Sequence, residues 1–127
     1  MRGMTTSLIT VYGIPNCDTV KKARVWLSEQ GVDYTFHDYK KQGVPAERVD
    51  AWIAAVGWEP LVNRQGTTWR KLDEATKAGV VDAASAKALM LNQASVIKRP
   101  VIERDGVVVS VGFDNKRLSE LASRLSA

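Results

Sequence analysis

The sequence contains one cysteine, Cys17, and one histidine, His37. A disulfide within the chain is therefore excluded. So is a zinc site of cysteine and histidine ligands, which takes about four of them. Redox chemistry at Cys17 must borrow its second thiol from another molecule. Long apolar runs are also missing: nothing approaches the roughly 18 residues that cross a bilayer as a helix. The opening Met1-Arg2-Gly3-Met4-Thr5-Thr6-Ser7 lacks the apolar stretch of a signal peptide, so the expected setting is cytoplasmic. No internal repeat, low-complexity tract or Ser/Pro-rich linker divides the chain.

What is present suits one globular domain: 127 residues, 45% hydrophobic and 25% charged. The 18 Lys and Arg exceed the 14 Asp and Glu. They are spread in pairs at most, not gathered in a stripe with interleaved aromatics. Neither a nucleic acid nor a membrane is expected as partner, whereas an anionic small molecule is a natural one.

Residues 8–12 form a β-rich run that predicts a buried strand, broken by Gly13-Ile14-Pro15-Asn16. A helical pattern starts near Cys17, with Val20, Ala23 and Leu27 at i, i+3 and i+7 and Gly31 just past its end. Residues 34–39 predict a second strand, parallel to the first in a βαβ unit. Pro45 opens a helix with Val49, Trp52, Ile53 and Val56 on one face and Gly57 at its close. Another helix follows Asp82, with Ala86, Leu89 and Met90 inward. Between them, Leu61 to Arg70 is polar and irregular, a loop length that is often functional. Val101–Arg104 and Val107–Val111 flank Asp105-Gly106, a type I′ hairpin signal. A last helix, capped by Asp114, carries Leu118, Leu121, Ala122 and Leu125. This order is that of the thioredoxin fold. The fold class expected is α/β, a thioredoxin-like fold with a helical insertion between the second and third strands. One domain is expected, with its frame at about 8–39 and 99–125 and the insertion at about 40–98.

Cys17 falls where the first strand hands over to the first helix. Backbone N–H groups there lack intrahelical partners, and the helix dipole places about half a positive charge nearby. A thiolate is favoured at such a place, below the usual thiol pKa of about 8.5. A lone cysteine is elsewhere often an inert core residue. The junction, and Pro15 two residues earlier, favour a reactive thiol. In thioredoxin-like proteins a cis proline at the start of the third strand faces the cysteine. Pro100 holds that place, which brings Arg99 to Cys17 as a cation able to lower the thiol pKa and grip an oxyanion. Arg64, beside Asn63 in the long loop, is a third candidate, a cation able to cover an anionic ligand. Trp69 and Arg70 fit packing within the insertion equally well. Lys21 and Lys22 add a basic first turn, and His37 fits a structural place.

The run Val11-Tyr12-Gly13-Ile14-Pro15-Asn16-Cys17-Asp18-Thr19-Val20-Lys21-Lys22-Ala23, with Asn63-Arg64 and Arg99-Pro100, resembles the arsenate reductase (ArsC) family. The resemblance spans Leu8 to about Leu125. The opening from Tyr12 to Cys17 is similar to the YffB branch, and the same family includes the Spx-type regulators. The resemblance implies Cys17 as nucleophile, with Arg64 and Arg99 completing the catalytic set. It implies glutathione or substrate contacts at Asn16, Thr19, Lys21 and Pro100, resolution by glutathione, and recycling by a glutaredoxin. No metal and no tightly bound cofactor are implied.

Three positions depart from the arsenate-reducing pattern. Gly13 stands where those enzymes have a histidine, Val20 where they have a serine, and Gly112 where they have a third arginine. Each loss removes a charge-assisted contact worth about 1.5–3 kcal/mol. Val20 also stands where Spx-type proteins mostly have a second cysteine, so an intramolecular disulfide switch is excluded. The expected function is a glutathione-dependent thiol reductase with one cysteine nucleophile. Its substrate would be a mixed disulfide or a small oxyanion. The alternatives are a glutathione- and glutaredoxin-coupled arsenate reductase, and a non-enzymatic Spx-like regulator that binds RNA polymerase.

Overall fold

The structure, a computed structural model, describes residues 8–114 and 120–124. Its contacts fall into two compact units. One comprises the chain up to Asp38 together with the chain from Arg99 onward, and the other is Tyr39–Lys98.

The first unit is built on a four-stranded sheet: β1 (Ile9–Gly13), β2 (Thr35–Asp38), β3 (Val101–Arg104) and β4 (Val107–Val111). The strand order is β2-β1-β3-β4. β1 and β2 are parallel, while β3 pairs antiparallel with both β1 and β4. A parallel pair needs a crossover, and α1 (Asp18–Glu29) supplies it. This is the thioredoxin-like arrangement expected. The second strand begins and ends one residue inside its expected span, because Tyr39 already belongs to the next helix.

The spacing of Val20, Ala23 and Leu27 makes α1 a crossover that can cover a sheet, and all three are fully buried. Leu27 joins Ile9, Val11, Ile102 and Leu121 in one core cluster, which Trp26 and Phe113 flank edge to face at 5.9 Å. Full burial of each such aliphatic side chain stabilises by about 1.5–3 kcal/mol. α1 ends in a Schellman motif. Val32 N–H donates to Leu27 C=O at 2.9 Å and Gly31 N–H to Ser28 C=O at 3.0 Å, with Gly31 at φ 73°.

The alternate residues of β1 serve the opposite sheet face. There the Tyr12 hydroxyl donates to Glu103 Oε1 at 3.1 Å, both side chains buried, and the Tyr12 ring meets its cross-strand neighbour His37 at 5.0 Å. Asp105 and Gly106, at φ 53° and 82°, make the type I′ turn of the hairpin. Residues 120–124 are helical with Leu121 buried. The expected start of that helix, with Leu118 and Leu125, lies outside the described residues.

The second unit contains α2 (Tyr39–Gln42), α3 (Ala46–Val56), α4 (Thr67–Arg70), α5 (Glu74–Ala78) and α6 (Ala83–Asn92), with 3-10 turns at Glu59–Leu61 and Ala94–Val96. α3 packs on α6, and Val49, Trp52, Ala86 and Met90 are fully buried. Asp82 closes a capping box with Ser85, as its place before the apolar run predicts. Three expectations are corrected here. Val56 is 37% exposed, so the buried stripe of α3 stops a turn early. The segment from Leu61 to Arg70 is only partly irregular, since Leu61 and Val62 are buried, Val62 bridges Ile97, and Thr67–Arg70 is helical. α5 was not expected at all. Among the described residues, no helix is long and apolar enough to cross a membrane.

Candidate active site

Gly13 ends β1, and the exposed Pro15-Asn16 pair carries the chain to Cys17. Proline cannot continue a strand interior, so the chain turns out here. Cys17 is the N-cap residue of α1, extended at φ −138° and ψ 124°. Its carbonyl accepts the first helical bond, from Lys21 N–H at 2.9 Å. Its side chain makes no formal capping hydrogen bond, and the thiol is half-buried.

Burial alone would push the Cys17 thiol up. That push is outweighed by the Val20 N–H, by a hydrogen bond and the positive charge from Arg99, and by the Thr19 N–H, so the thiol is held below its ordinary value. Thr19 and Val20 are the second and third residues of α1. Their unpaired N–H groups face the cap position that Cys17 occupies.

Arg99 is half-buried and joins Pro100 through a cis peptide bond. Pro100 is buried, and its carbonyl accepts from Gly112 N–H at 2.8 Å. Ser110 Oγ donates to the Gly112 carbonyl at 2.9 Å. Gly112, at φ 84°, therefore works through its backbone and holds the Arg99-Pro100 corner to the end of β4.

The first unit thus assembles Cys17, Thr19, Val20, Arg99, Pro100 and Gly112. Asn16 is exposed in the loop beside the thiol. Lys21 lies one turn along α1 from Cys17 and lines a shallow cleft with Arg24, Val25, Ser28, Glu29 and Tyr34. In that cleft the Arg24 guanidinium stacks 4.2 Å from the Phe36 ring centre while its Nε donates to the Tyr34 hydroxyl at 3.1 Å.

Arg64 belongs to the second unit. Its guanidinium carbon lies 5.5 Å from the Trp58 ring centre and 5.9 Å from that of Trp69. Asn63 Oδ1 accepts from Gln65 N–H at 3.2 Å and shapes the turn that presents the arginine. Two residues near Arg64, Trp58 and Lys98, were not singled out from the sequence. Trp58 lies six positions before Arg64 and Lys98 far beyond it, so no local spacing marks them. Among the described residues, no group of three or more His, Cys, Asp and Glu could hold a metal ion.

The profile of the ArsC family matches residues 12–121. The chain belongs to the ArsC family. It is 57% identical to an arsenate reductase (ArsC) related protein from Brucella melitensis, whose solution structure it matches with a TM-score of 0.71, covering 87% of this chain and 91% of that one. A solved YffB protein is 48% identical with a TM-score of 0.77, covering 89% of this chain and 98% of the other. The global transcriptional regulator Spx of Streptococcus pyogenes is 24% identical over 123 residues, or 92% of this chain and 87% of Spx.

In this ArsC-family chain the cysteine, the cis proline and the arginine before it are contiguous in space. Arg99 supplies the site's charge, Pro100 its corner and α1 its backbone donors. The arrangement presents an ionisable sulfur to solvent with a cation beside it. Such a sulfur can attack an electrophilic sulfur or an oxyanion centre.

Proposed function

We propose that this protein is a glutathione-dependent thiol reductase in which Cys17 is the one nucleophile. The observation that carries the reading is the Cys17–Arg99 pair at the N-terminus of α1, which holds the thiol below its ordinary value. The Cys17 thiolate attacks one sulfur of a mixed disulfide between a substrate thiol and glutathione. The disulfide bond breaks, and the substrate sulfur leaves with the electron pair and takes a proton. Cys17 is left joined to glutathione. A second glutathione thiolate attacks that bond, releases the Cys17 thiolate, and departs as glutathione disulfide. The substrate thiol is released in reduced form, one free glutathione is consumed, and the glutathione of the mixed disulfide leaves with it as glutathione disulfide. Cys17 has no internal resolving partner, because it is the sole cysteine of the sequence. Asn16, Thr19, Lys21 and Pro100 surround the path of the incoming glutathione in this reading, and a glutaredoxin is a candidate recycling partner.

The test is direct. The full chain is incubated with glutathione disulfide and weighed intact, and alkylation of Cys17 is followed against pH. A glutathione adduct and an alkylation midpoint below the ordinary thiol value support the reading. A midpoint at or above that value with no adduct overturns it.

Two other activities are separated by simple assays. Arsenate reduction would appear as NADPH consumption in the presence of glutathione and glutaredoxin. Gly13, Val20 and Gly112 predict only background turnover. The Spx relative favours a second reading, a regulator that binds RNA polymerase without using the thiol. Capture of RNA polymerase by the Cys17→Ser chain as well as by the parent would support that reading.

A further inference from the structure

Within Tyr39–Lys98, two short segments run side by side. Asn63 N–H donates to Val96 C=O at 2.8 Å, Lys98 N–H donates to Leu61 C=O at 2.7 Å, and Val62 bridges Ile97. This pairing fixes Lys98 and Arg64 in one cleft of about 280 Å3, lined also by Glu59, Asn63 and Gln65. The rings of Trp58 and Trp69 lie at cation–π distance from the guanidinium of Arg64. Among the described residues, no hydrogen bond or ion pair engages the guanidinium of Arg64. An arginine placed beside two indoles, with its donors unspent, is pre-set for a ligand carboxylate.

The charged lining is specific in sign and number: Arg64 and Lys98 are cations and Glu59 is the one anion. Two cations suit one carboxylate, and an anion beside them suits an ammonium group. The amides of Asn63 and Gln65 can complete the hydrogen bonds of both. We propose that this cleft takes an α-amino-acid head group, a free carboxylate and ammonium of the kind glutathione carries at its γ-glutamyl end. Arg64 and Lys98 hold the carboxylate, Glu59 holds the ammonium, and Trp58 and Trp69 are positioning residues for Arg64.

Binding is measured on the full chain by NMR with S-methylglutathione, which cannot react with Cys17, following the indole N–H signals of Trp58 and Trp69. Those signals are expected to shift on titration. Lys98→Gln is expected to weaken binding about three- to tenfold, the loss of one charge-assisted contact. Glu59→Gln is expected to weaken S-methylglutathione but not its N-acetylated form, which has no ammonium. Trp58→Phe with Trp69→Phe, read instead from the backbone amide signals of Asn63, Gln65 and Lys98, should retain affinity while the paired alanine changes lose it, and unchanged circular dichroism separates that loss from unfolding. Absence of indole shifts, or full affinity in Lys98→Gln, overturns the subsite. The glutathione-adduct assay on Cys17 is independent of this binding. An adduct without indole shifts removes the subsite and leaves the reductase. Indole shifts without an adduct do the reverse.

Discussion

A Cβ placed on Gly13 would lie 2.8 Å from Cγ2 of Val20. The two positions that depart from the histidine and serine of the arsenate-reducing pattern therefore face each other. They act as one packed pair across the junction of β1 and α1. Val20 is fully buried and stiff at χ1, so it cannot swing clear. Gly13→Ala is expected to destabilise the protein by about 1–3 kcal/mol through overpacking, more than the roughly 0.4–1 kcal/mol that a loss of unfolded-state entropy returns. In a Val20→Ala background the same change should be close to neutral. Denaturant midpoints of the four proteins close the cycle, and additive effects would show that the pair is uncoupled. By the same geometry, Gly13→His should be tolerated better together with Val20→Ser than alone.

Leu27 touches the sheet from α1 and is fully buried in a cluster with Ile9, Val11, Ile102 and Leu121. Leu27→Ala should cost about 2–5 kcal/mol, the span found for large-to-small changes in packed cores. Since the helix that carries Leu27 also presents the Thr19 and Val20 donors, thiol reactivity should fall as well at temperatures near the new melting point. Thermal melts and alkylation rates measured on one sample test both. A melting point within a degree of the parent would show that this cluster does not hold α1 down.

These elements were legible because burial leaves a period in the sequence. Val20, Ala23 and Leu27 had to recur at helical spacing to cover β1, and Asp105-Gly106 announces its turn by local geometry alone. α5 leaves no such trace. None of its residues is buried, and it stands on the Asp73 side chain accepting from Thr76 N–H at 2.7 Å. Periodicity placed Val56 inward because it continues the stripe of Val49 and Trp52, but a stripe does not say where the neighbouring helix ends. The cysteine was legible from its junction, and Arg99 only through the fold, since nothing local ties position 99 to position 17. The indoles on Arg64 were beyond reach. Trp58 and Trp69 lie six residues before it and five after, spacings that match no single helix face or strand.

Gly106 has open space where a Cβ would go, yet sits at φ 82°. Sterics and backbone preference thus make opposite predictions for Gly106→Ala. Left-handed backbone costs an L-residue roughly 1–2 kcal/mol, and no contact is gained in return. The variant should lose about that much stability while Gly106→Asn, which tolerates the region, loses less. Chemical denaturation of both decides it, and equal stability of alanine and glycine would mean that the turn relaxes to another type.

The pKa of the Cys17 thiol is lowered in the folded protein, so the thiol couples folding to pH. Between the lowered folded value and the unfolded one, the unfolded chain holds a proton that the folded chain has released. Stability contributed by the thiolate is then complete above the unfolded value and is lost as pH falls through the folded value. The parent should gain stability relative to Cys17→Ser as pH rises through this window, and the two curves should run parallel below it. Arg99→Gln removes a hydrogen bond and a charge but leaves the Val20 and Thr19 donors in place. Its alkylation midpoint should rise and its pH-dependent gain shrink without vanishing. Parallel curves for the parent and Cys17→Ser across the whole range would mean that the sulfur is not ionised in preference by the fold. An unmoved midpoint in Arg99→Gln would assign the effect to the helix terminus alone.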